Sequence, residues 1–309
     1  MKKIFIYTIV VASSLAAGSL LGFGSKKLFK KEIDYSNADI SAYVPDYQAI
    51  VKKIDGYRGR KGLFDQFSTS DVLNYSLEKF RTSENCATFT FGLSHSSVVD
   101  QLIRGCDIKN GNEYFEESLS KSKLVSVASR VYQTGAKSTA KFYQGSESDL
   151  VINDNEAYTS YSNSYKSFDS ATYKATYGKT IDEMFIYLIC EEGILSKTVT
   201  SNSDGYKVAC KFDNEISTYF NKIQMQGTSD LAKQPEFRDV NLTFELNKNY
   251  QLKKVTIDET YDAAKKIVGM NIATKLHAVI DIYFYTFETG SPDFIKIPTL
   301  DEKVEYRKD

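Results

Sequence analysis

The chain has 309 residues, 42% of them hydrophobic, and carries 39 basic against 40 acidic side chains, a formal net charge of −1. That apolar fraction suffices for a folded core, which excludes a wholly disordered chain. The balanced charge argues against a nucleic-acid-binding protein, because such proteins carry a basic surplus that displaces counterions from phosphates. The 22 tyrosines and 19 phenylalanines favour β-strands, where flat rings pack well on a pleated surface.

The N-terminal segment predicts contact with a membrane. Residues Ile4–Gly24 contain no charge and lie between two lysines before them and four lysines after them. About twenty uncharged helical residues cover the roughly 30 Å of bilayer hydrocarbon. A basic start followed by an apolar run is typical of a signal peptide or a signal anchor. Small residues in Ser14–Ala16 and Gly22–Gly24 offer cleavage sites, whereas the length of the run favours an uncleaved anchor. We assign residues 1–25 to this signal peptide or signal anchor.

Residues 26–67 are predicted to form a membrane-proximal tether. The basic, glycine-punctuated stretch Lys52–Gly62 either touches anionic lipid headgroups or is a solvated loop. The four lysines after the apolar segment argue by themselves for a cytosolic domain. The cysteine pattern favours the other side of the membrane. Residues 68–309 are therefore predicted to form a β-rich extracytoplasmic domain, either membrane-anchored or secreted.

Four cysteines occur in two pairs, each with a spacing of 20 residues: Cys86, Cys106, Cys190 and Cys210. Neither pair has the spacing of a zinc site, and the two histidines, His95 and His277, complete no ligand pattern, so no metal site is predicted. An even count in an exported chain indicates two disulfides. Four cysteines permit three connectivities, and the equal spacing favours Cys86–Cys106 with Cys190–Cys210. The alternative is four buried free thiols.

Similar elements surround both cysteine pairs. Ser70 can cap a helix over Asp71–Phe80, and two strands follow it, the second over Val98–Ile108. The capping box Thr180–Glu183 begins a second helix, expected to continue through Cys190 and to be followed by two further strands. A helix–strand–strand unit that occurs twice indicates an internal duplication.

The remainder is mostly strand. Alternating apolar residues predict strands over Glu113–Tyr143, with a turn at Asn110-Gly111. Asp213 can cap another amphipathic helix. Strands are then predicted at Val240–Leu246, Leu252–Ile257 and Ala273–Phe287, the last one apolar on both faces.

The C-terminal third resembles a known family. The strand–polar turn–strand rhythm of Val240–Ile257, followed by Ile295-Lys-Ile-Pro298, is similar to the LolA/LppX-like envelope lipoprotein-carrier superfamily. The resemblance implies an α+β fold in which a curved antiparallel, half-barrel-like sheet is closed by a few packing helices and can hold acyl chains. The absence of a cysteine near the N-terminal segment departs from the lipid-tethered members.

The sequence contains no catalytic motif of a hydrolase, nucleotide-binding enzyme or metalloprotease, and no cofactor is predicted. Two hypotheses follow. The first is a non-enzymatic envelope protein that binds a lipid or another amphiphile. The second is a structural or protein-interaction module of the envelope with a solid core and no small-molecule ligand. The apolar faces of two helices would form the lid of the pocket: Val72, Leu77, Phe80, Ile216, Phe220 and Ile223.

Overall fold

The computed structural model describes residues 43–96, 100–123, 126–135, 138–154, 156–177, 181, 187, 189–218, 231–267 and 270–308. The helices are α1 (Tyr47–Asp55), α2 (Thr69–Arg81) and α3 (Ser170–Tyr177), residues 214–218 are also helical, and a 3₁₀ turn lies at Leu63–Asp65. The first eight strands are β1 (Asn85–Ser96), β2 (Asp100–Asn110), β3 (Glu113–Ser122), β4 (Ser126–Thr134), β5 (Ala140–Gly145), β6 (Val151–Ile152), β7 (Ala157–Tyr158) and β8 (Tyr161–Phe168). The remaining five are β9 (Ile194–Ser201), β10 (Gly205–Phe212), β11 (Leu231–Asn247), β12 (Leu252–Ile267) and β13 (Met270–Thr286).

Eleven of these strands form one curved, unclosed antiparallel sheet in the order β8-β5-β4-β3-β2-β1-β13-β12-β11-β10-β9. Strands β1–β5 form one meander and β9–β13 another, and pairing of β1 with β13 joins the two. The predicted turn at Asn110-Gly111 is present, and Gly111 adopts a φ of 58°, which glycine tolerates best. The predicted fold class, an antiparallel sheet with a few packing helices, is confirmed.

Helix α2 packs on one face of the sheet, called here the helix face. It begins with Ser68, whose Oγ accepts a hydrogen bond from the amide of Asp71 at 3.1 Å, so the cap lies two residues before the predicted Ser70. The ring of Phe80 meets that of Phe284 edge-on at 5.0 Å. The core on this side is built from alternate residues of β10–β13, among them Val208, Phe212, Leu242, Phe244, Val255, Ile257, Ile280 and Ile282.

The opposite face of the sheet is covered by residues 288–308, called here the C-terminal segment. A buried ion pair attaches this segment to the sheet. Arg130 donates from Nε to Glu117 Oε1 at 2.7 Å, and the two side chains are 2% and 0% exposed. Arg130 also donates from Nη1 to the carbonyls of Thr299 and Leu300, each at 2.9 Å. Arg130 therefore attaches this part of the segment to the sheet, and Tyr132 and Asn110 donate to the carbonyls of Pro298 and Ile295 beside it.

Two tyrosines complete the coordination of the Glu117 carboxylate. Tyr161 donates to Oε1 at 3.0 Å and Tyr306 to Oε2 at 2.7 Å. Burial first, and then the adjacent Glu117 carboxylate, raise the pKa of both tyrosines well above the usual value, so both stay protonated as donors. The charge is thus compensated by hydrogen bonds as well as by Arg130.

The predicted Cys86–Cys106 disulfide is wrong. All four cysteines lie within the described residues, they are buried, and they form no disulfide. Cys86 lies opposite Lys109, whereas Cys106 lies opposite Phe89, three residues further along β1. An odd offset places the two sulfur atoms on opposite faces, and three residues separate them by roughly 10 Å along the strand. A disulfide requires Cα atoms within about 7 Å. The predicted Cys190–Cys210 bond is likewise absent.

Three further predictions concern the ends and repeats of the domain. Residues 1–42, with the predicted signal peptide or anchor, lie outside the described residues. Among those that are described, no helix has both the length and the apolarity needed to cross a membrane. The tether is described from residue 43 onward, where α1 packs beside α2 through the Lys53–Asp71 ion pair at 2.8 Å.

The second predicted helix does not include Tyr187, Ile189 or Cys190, which are not helical. The domain boundaries and the duplication stay predictions.

We expect a peptide map of the unreduced, alkylated protein to contain no peptide in which Cys86 is linked to Cys106. The reason is the register of β1 and β2, which directs the two side chains to opposite faces. Mass spectrometry after digestion under acidic conditions, which suppress thiol exchange, makes the measurement. Recovery of the Cys86–Cys106 peptide from folded protein would contradict this register.

We expect Arg130→Met to lower the free energy of unfolding by about 3–5 kcal/mol, because Glu117 is then buried without its cation. Lys53→Met is the matched control, because Lys53 also pairs with a carboxylate, that of Asp71, but its side chain is 56% exposed. Loss of such an exposed pair costs at most about 1 kcal/mol. Urea unfolding followed by circular dichroism measures both. Equal losses in the free energy of unfolding would show that the buried Arg130–Glu117 pair stabilises the fold no more than the exposed pair does.

Candidate functional site

The predicted lid residues of α2 lie on the helix face. Val72 and Leu77 are 0% exposed and Phe80 is 3% exposed, so the apolar side of α2 is buried against the sheet. Ile216 is half-buried in the helical residues 214–218. Phe220 and Ile223 lie outside the described residues. Whether α2 acts as a lid is a matter of function, and that assignment stays a prediction.

The helix face changes character across the sheet. Over β10–β13 it is apolar, as described above. Over β1–β4 the strand register brings mainly hydroxyl, amide and carboxyl side chains to the same face. Ten of these polar side chains are at most 6% exposed: Thr88, Thr90, Ser94, Ser96, Gln101, Asp107, Glu116, Ser118, Ser129 and Gln133. The helix face is therefore itself amphipathic.

One line of residues crosses from the apolar to the polar part of the helix face. Glu259 of β12 lies opposite Ala278 of β13, Ala278 lies opposite Ser94 of β1, and Ser94 lies opposite Gln101 of β2. We call these four residues the polar row. Its outer members have long side chains and its middle members short ones, and we call the position above Ala278 and Ser94, between the two long side chains, the notch. With adjacent strands about 4.8 Å apart, their Cα atoms are separated by roughly 14 Å.

Four oxygens of the polar row are buried and have no hydrogen-bond partner within the described part of the chain: Glu259 Oε1 and Oε2, Ser94 Oγ and Gln101 Oε1. Gln101 uses its amide nitrogen, which donates to Ser120 Oγ. Leaving a buried polar group unpaired costs about 1–3 kcal/mol, more for a charged one. A core with only a structural role has no reason to keep several such groups along one line.

Glu259 is the one titratable side chain of the polar row. Its side chain is 0% exposed, and burial first, then the neighbouring Asp258, raises the pKa of Glu259 well above the usual value. Tyr187 faces Glu259, and burial first, then the Glu259 carboxylate, raises the pKa of Tyr187. The fold thus favours the neutral acid unless a cation is placed beside it.

A cleft of about 220 Å³ opens at the C-terminal end of α2, beside the β11–β12 turn. Phe80 and Leu252 line its apolar side, and Tyr75, Lys79 and Tyr250 its polar rim. Because Phe80 also belongs to the core of the helix face, the cleft leads from solvent to that core. A larger cleft, of about 740 Å³, lies on the opposite face along the C-terminal segment.

The two histidines do not contribute to the helix face. His95 and His277 lie opposite each other on β1 and β13, on the other face of the sheet. Their side chains are 66% and 52% exposed and contact Asp100 and Asp258 respectively. His277 is thus a surface residue. Within the described ranges, no group of three or more His, Cys, Asp or Glu side chains is arranged to hold a metal ion.

No protein-family model matches the sequence, and no curated protein matches it. Among solved structures, LprF from Mycobacterium bovis is similar over 75% of this chain and 96% of its own, with 13% identity and a TM-score of 0.36. A DUF1329 family protein from Desulfovibrio piger is similar over 72% of this chain and 93% of its own, with 8% identity and a TM-score of 0.23. Similarities of this size carry no argument about family or ligand, so function has to be inferred from the helix face.

We expect Glu259→Gln to stabilise the protein at neutral pH. A carboxyl whose pKa is raised by folding stabilises the fold fully below its unfolded pKa, about 4.3, and that contribution is lost as the pH rises through the folded pKa. Glutamine does not ionise, so the advantage of the variant should be small at pH 4 and exceed about 1 kcal/mol near pH 8. Urea unfolding at several pH values measures it. Glu305→Gln, at an exposed position, is the control, and a pH-independent difference for Glu259→Gln would contradict the burial argument.

Proposed function

We propose that this protein is a non-enzymatic, extracytoplasmic envelope protein that binds a lipid or another amphiphile on the helix face of its sheet. The observation that carries the proposal is the amphipathic helix face. It combines an apolar region over β10–β13 with a buried polar region over β1–β4 and the unpartnered oxygens of the polar row. An amphiphile has the same two parts, an apolar chain and a polar head, in one molecule.

The apolar part of the ligand lies against the strands that α2 covers. Side chains such as Ile257, Ile280 and Phe284 are at most 3% exposed there. Each CH₂ group transferred from water to such a surface contributes about 0.8 kcal/mol. An acyl or alkyl chain of ordinary length therefore gains enough free energy to bind without any covalent step.

Entry of the ligand requires α2 to move. The cleft at the end of α2 holds about 220 Å³, whereas pockets for small molecules occupy roughly 300–1,000 Å³. Helix α2 is a short element whose apolar side faces the sheet through Leu73, Leu77 and Phe80. Outward displacement of α2 would enlarge the cleft and expose the apolar strands beneath, which is the lid function assigned to Val72, Leu77 and Phe80. Ile216, Phe220 and Ile223 are assigned to the second half of the same lid.

The alternative is an envelope scaffold with a solid core. Its supporting observation is the direct contact of α2 with the sheet, including the ring contact of Phe80 with Phe284 at 5.0 Å. The scaffold hypothesis accounts for this contact, but it leaves the unpartnered oxygens of the polar row without a purpose. In either case residues 1–25 place the protein at the membrane, as the charge-free run Ile4–Gly24 suggests.

The proposal is tested with the full chain purified from membranes. Native mass spectrometry should detect a co-purified lipid, and a fluorescent fatty-chain probe should bind to the delipidated protein. Ala278→Leu, which fills the notch of the polar row, should weaken probe binding at least tenfold. Val279→Leu introduces the same leucine side chain on the same strand, on the opposite face where Val279 is 38% exposed. It should change binding less than twofold.

Circular dichroism and the unfolding midpoint show whether both variants are folded. If the wild-type protein carries no lipid and binds no probe, the scaffold hypothesis replaces the proposal. If folded Ala278→Leu binds the probe as the wild type does, the ligand does not occupy the helix face.

A further inference from the structure

The polar row contains more acceptors than donors. Its unpartnered atoms are the two oxygens of the Glu259 carboxyl, the hydroxyl of Ser94 and the amide carbonyl of Gln101. With Glu259 ionised, only the Ser94 hydroxyl has a hydrogen to donate. All three side chains are at least nine-tenths buried, with exposures of 0%, 1% and 5%. The complementary chemical group is one that brings several N–H or O–H donors into the notch.

The charges near the polar row favour a cation. Among the described side chains on the helix face of β1–β4, Lys109 is the one basic residue. It lies eight residues from Gln101 along β2, roughly 27 Å away, and its Nζ is directed to the carbonyl of Arg81 at 3.4 Å. A carboxylate or phosphate head in the notch would therefore be buried beside Glu259 without a counter-ion, which is strongly unfavourable.

The surroundings of the polar row strengthen an ion pair. Around Glu259 and Ala278 the neighbouring positions on the helix face are apolar: Ile257 and Ile280 on one side, Tyr261 and Leu276 on the other. Opposite charges attract more strongly in such a setting than in water, and hydrogen bonds from the cation to the remaining acceptors offset its loss of hydration. A primary ammonium above Ala278 has Glu259 on one adjacent strand and Ser94 on the other, each strand about 4.8 Å away, and it can donate N–H groups to both.

We infer that the polar row binds the head group of the ligand, and that this head group is a primary ammonium, so that the preferred ligand is an amphiphilic amine. The inference rests on the proposed function, because the alkyl chain of the amine lies on the apolar strands described there. The ammonium sits above Ala278, the short side chain between Glu259 and Ser94, and Glu259 is its counter-ion.

The experiment compares three probes that share a twelve-carbon chain and differ in the head group: dodecylammonium, dodecanol and dodecanoate. Each is titrated below its micellar concentration into the full chain at pH 7, and binding is measured by isothermal titration calorimetry. We expect dodecylammonium to bind at least tenfold more tightly than dodecanol, and dodecanoate to bind most weakly. The shared chain removes the apolar contribution from the comparison.

Two variants and one control test whether the polar row causes the preference for dodecylammonium. Glu259→Gln should weaken dodecylammonium at least tenfold and leave dodecanol within twofold. Ser94→Ala, a smaller change that preserves the fold, should weaken dodecylammonium about threefold. Glu305→Gln removes an exposed carboxylate of the C-terminal segment, on the opposite face of the sheet, and it should leave all three affinities unchanged.

The outcomes separate the inference from the function on which it rests. If none of the three probes binds, the proposed function fails. If all three bind with similar affinity, or dodecanoate binds most tightly, the proposed function stands and the ammonium inference is overturned. A preference for dodecylammonium that persists in both Glu259→Gln and Ser94→Ala also overturns it, because the amine is then held elsewhere.

Discussion

The backbone pairing of β1 with β13 is the constraint on which the rest of this structure depends. It joins two meanders that are otherwise separate, from Cys86 opposite Thr286 to Ser96 opposite Leu276. Because side chains alternate between faces, this one register decides which residues of both meanders share a face. A slip by one residue would turn Thr88 and Ser94 away from α2 and bring Phe89 and His95 in their place. The amphipathic helix face exists only in the observed register.

Two of the buried glutamates of the sheet, Glu117 and Glu259, show how differently a charge can be treated. Glu117 accepts hydrogen bonds from Arg130, Tyr161 and Tyr306, so its burial is compensated and it attaches the C-terminal segment. Glu259 is equally buried but has no hydrogen-bond partner among the described residues. A buried group that is left incomplete is a candidate for binding something outside the chain. The contrast, rather than burial alone, separates the structural carboxylate from the one that we propose binds a ligand.

Much of the fold was predictable from local sequence. The spacing of Val72, Leu77 and Phe80 predicted α2, and alternation predicted the strands that became β11–β13, because both signals depend only on neighbouring residues. The cysteines were not predictable in this way. Equal spacing suggested local bonds, but whether Cys86 and Cys106 share a face depends on the register between two strands, which spacing does not encode.

Glu259 could have been noticed and was missed. In the run Val255-Thr-Ile-Asp-Glu-Thr-Tyr261 the alternating apolar positions are Val255, Ile257 and Tyr261, and Glu259 takes the position between the last two. A carboxyl at a core-facing position of a strand is the signal. Its neighbours in the polar row come from β13, β1 and β2, so the site as a whole follows only from the strand order. The predicted coverage of both faces of β13 holds near Tyr285, which packs beneath the C-terminal segment, but not at Val279, which is 38% exposed.

The same pairing of β1 with β13 has a consequence for how the chain folds as it is made. β1 is synthesised early and ends at Ser96, whereas β13 begins only at Met270, so Ser96 is made long before its partner Leu276. Contacts so distant in sequence form slowly, because the closure of a long loop precedes any gain from the contacts. Until then β1 has an open edge with unpaired backbone groups, which is prone to pair with other chains. A nascent chain of this topology therefore gains most from a holding chaperone during the interval between the two strands.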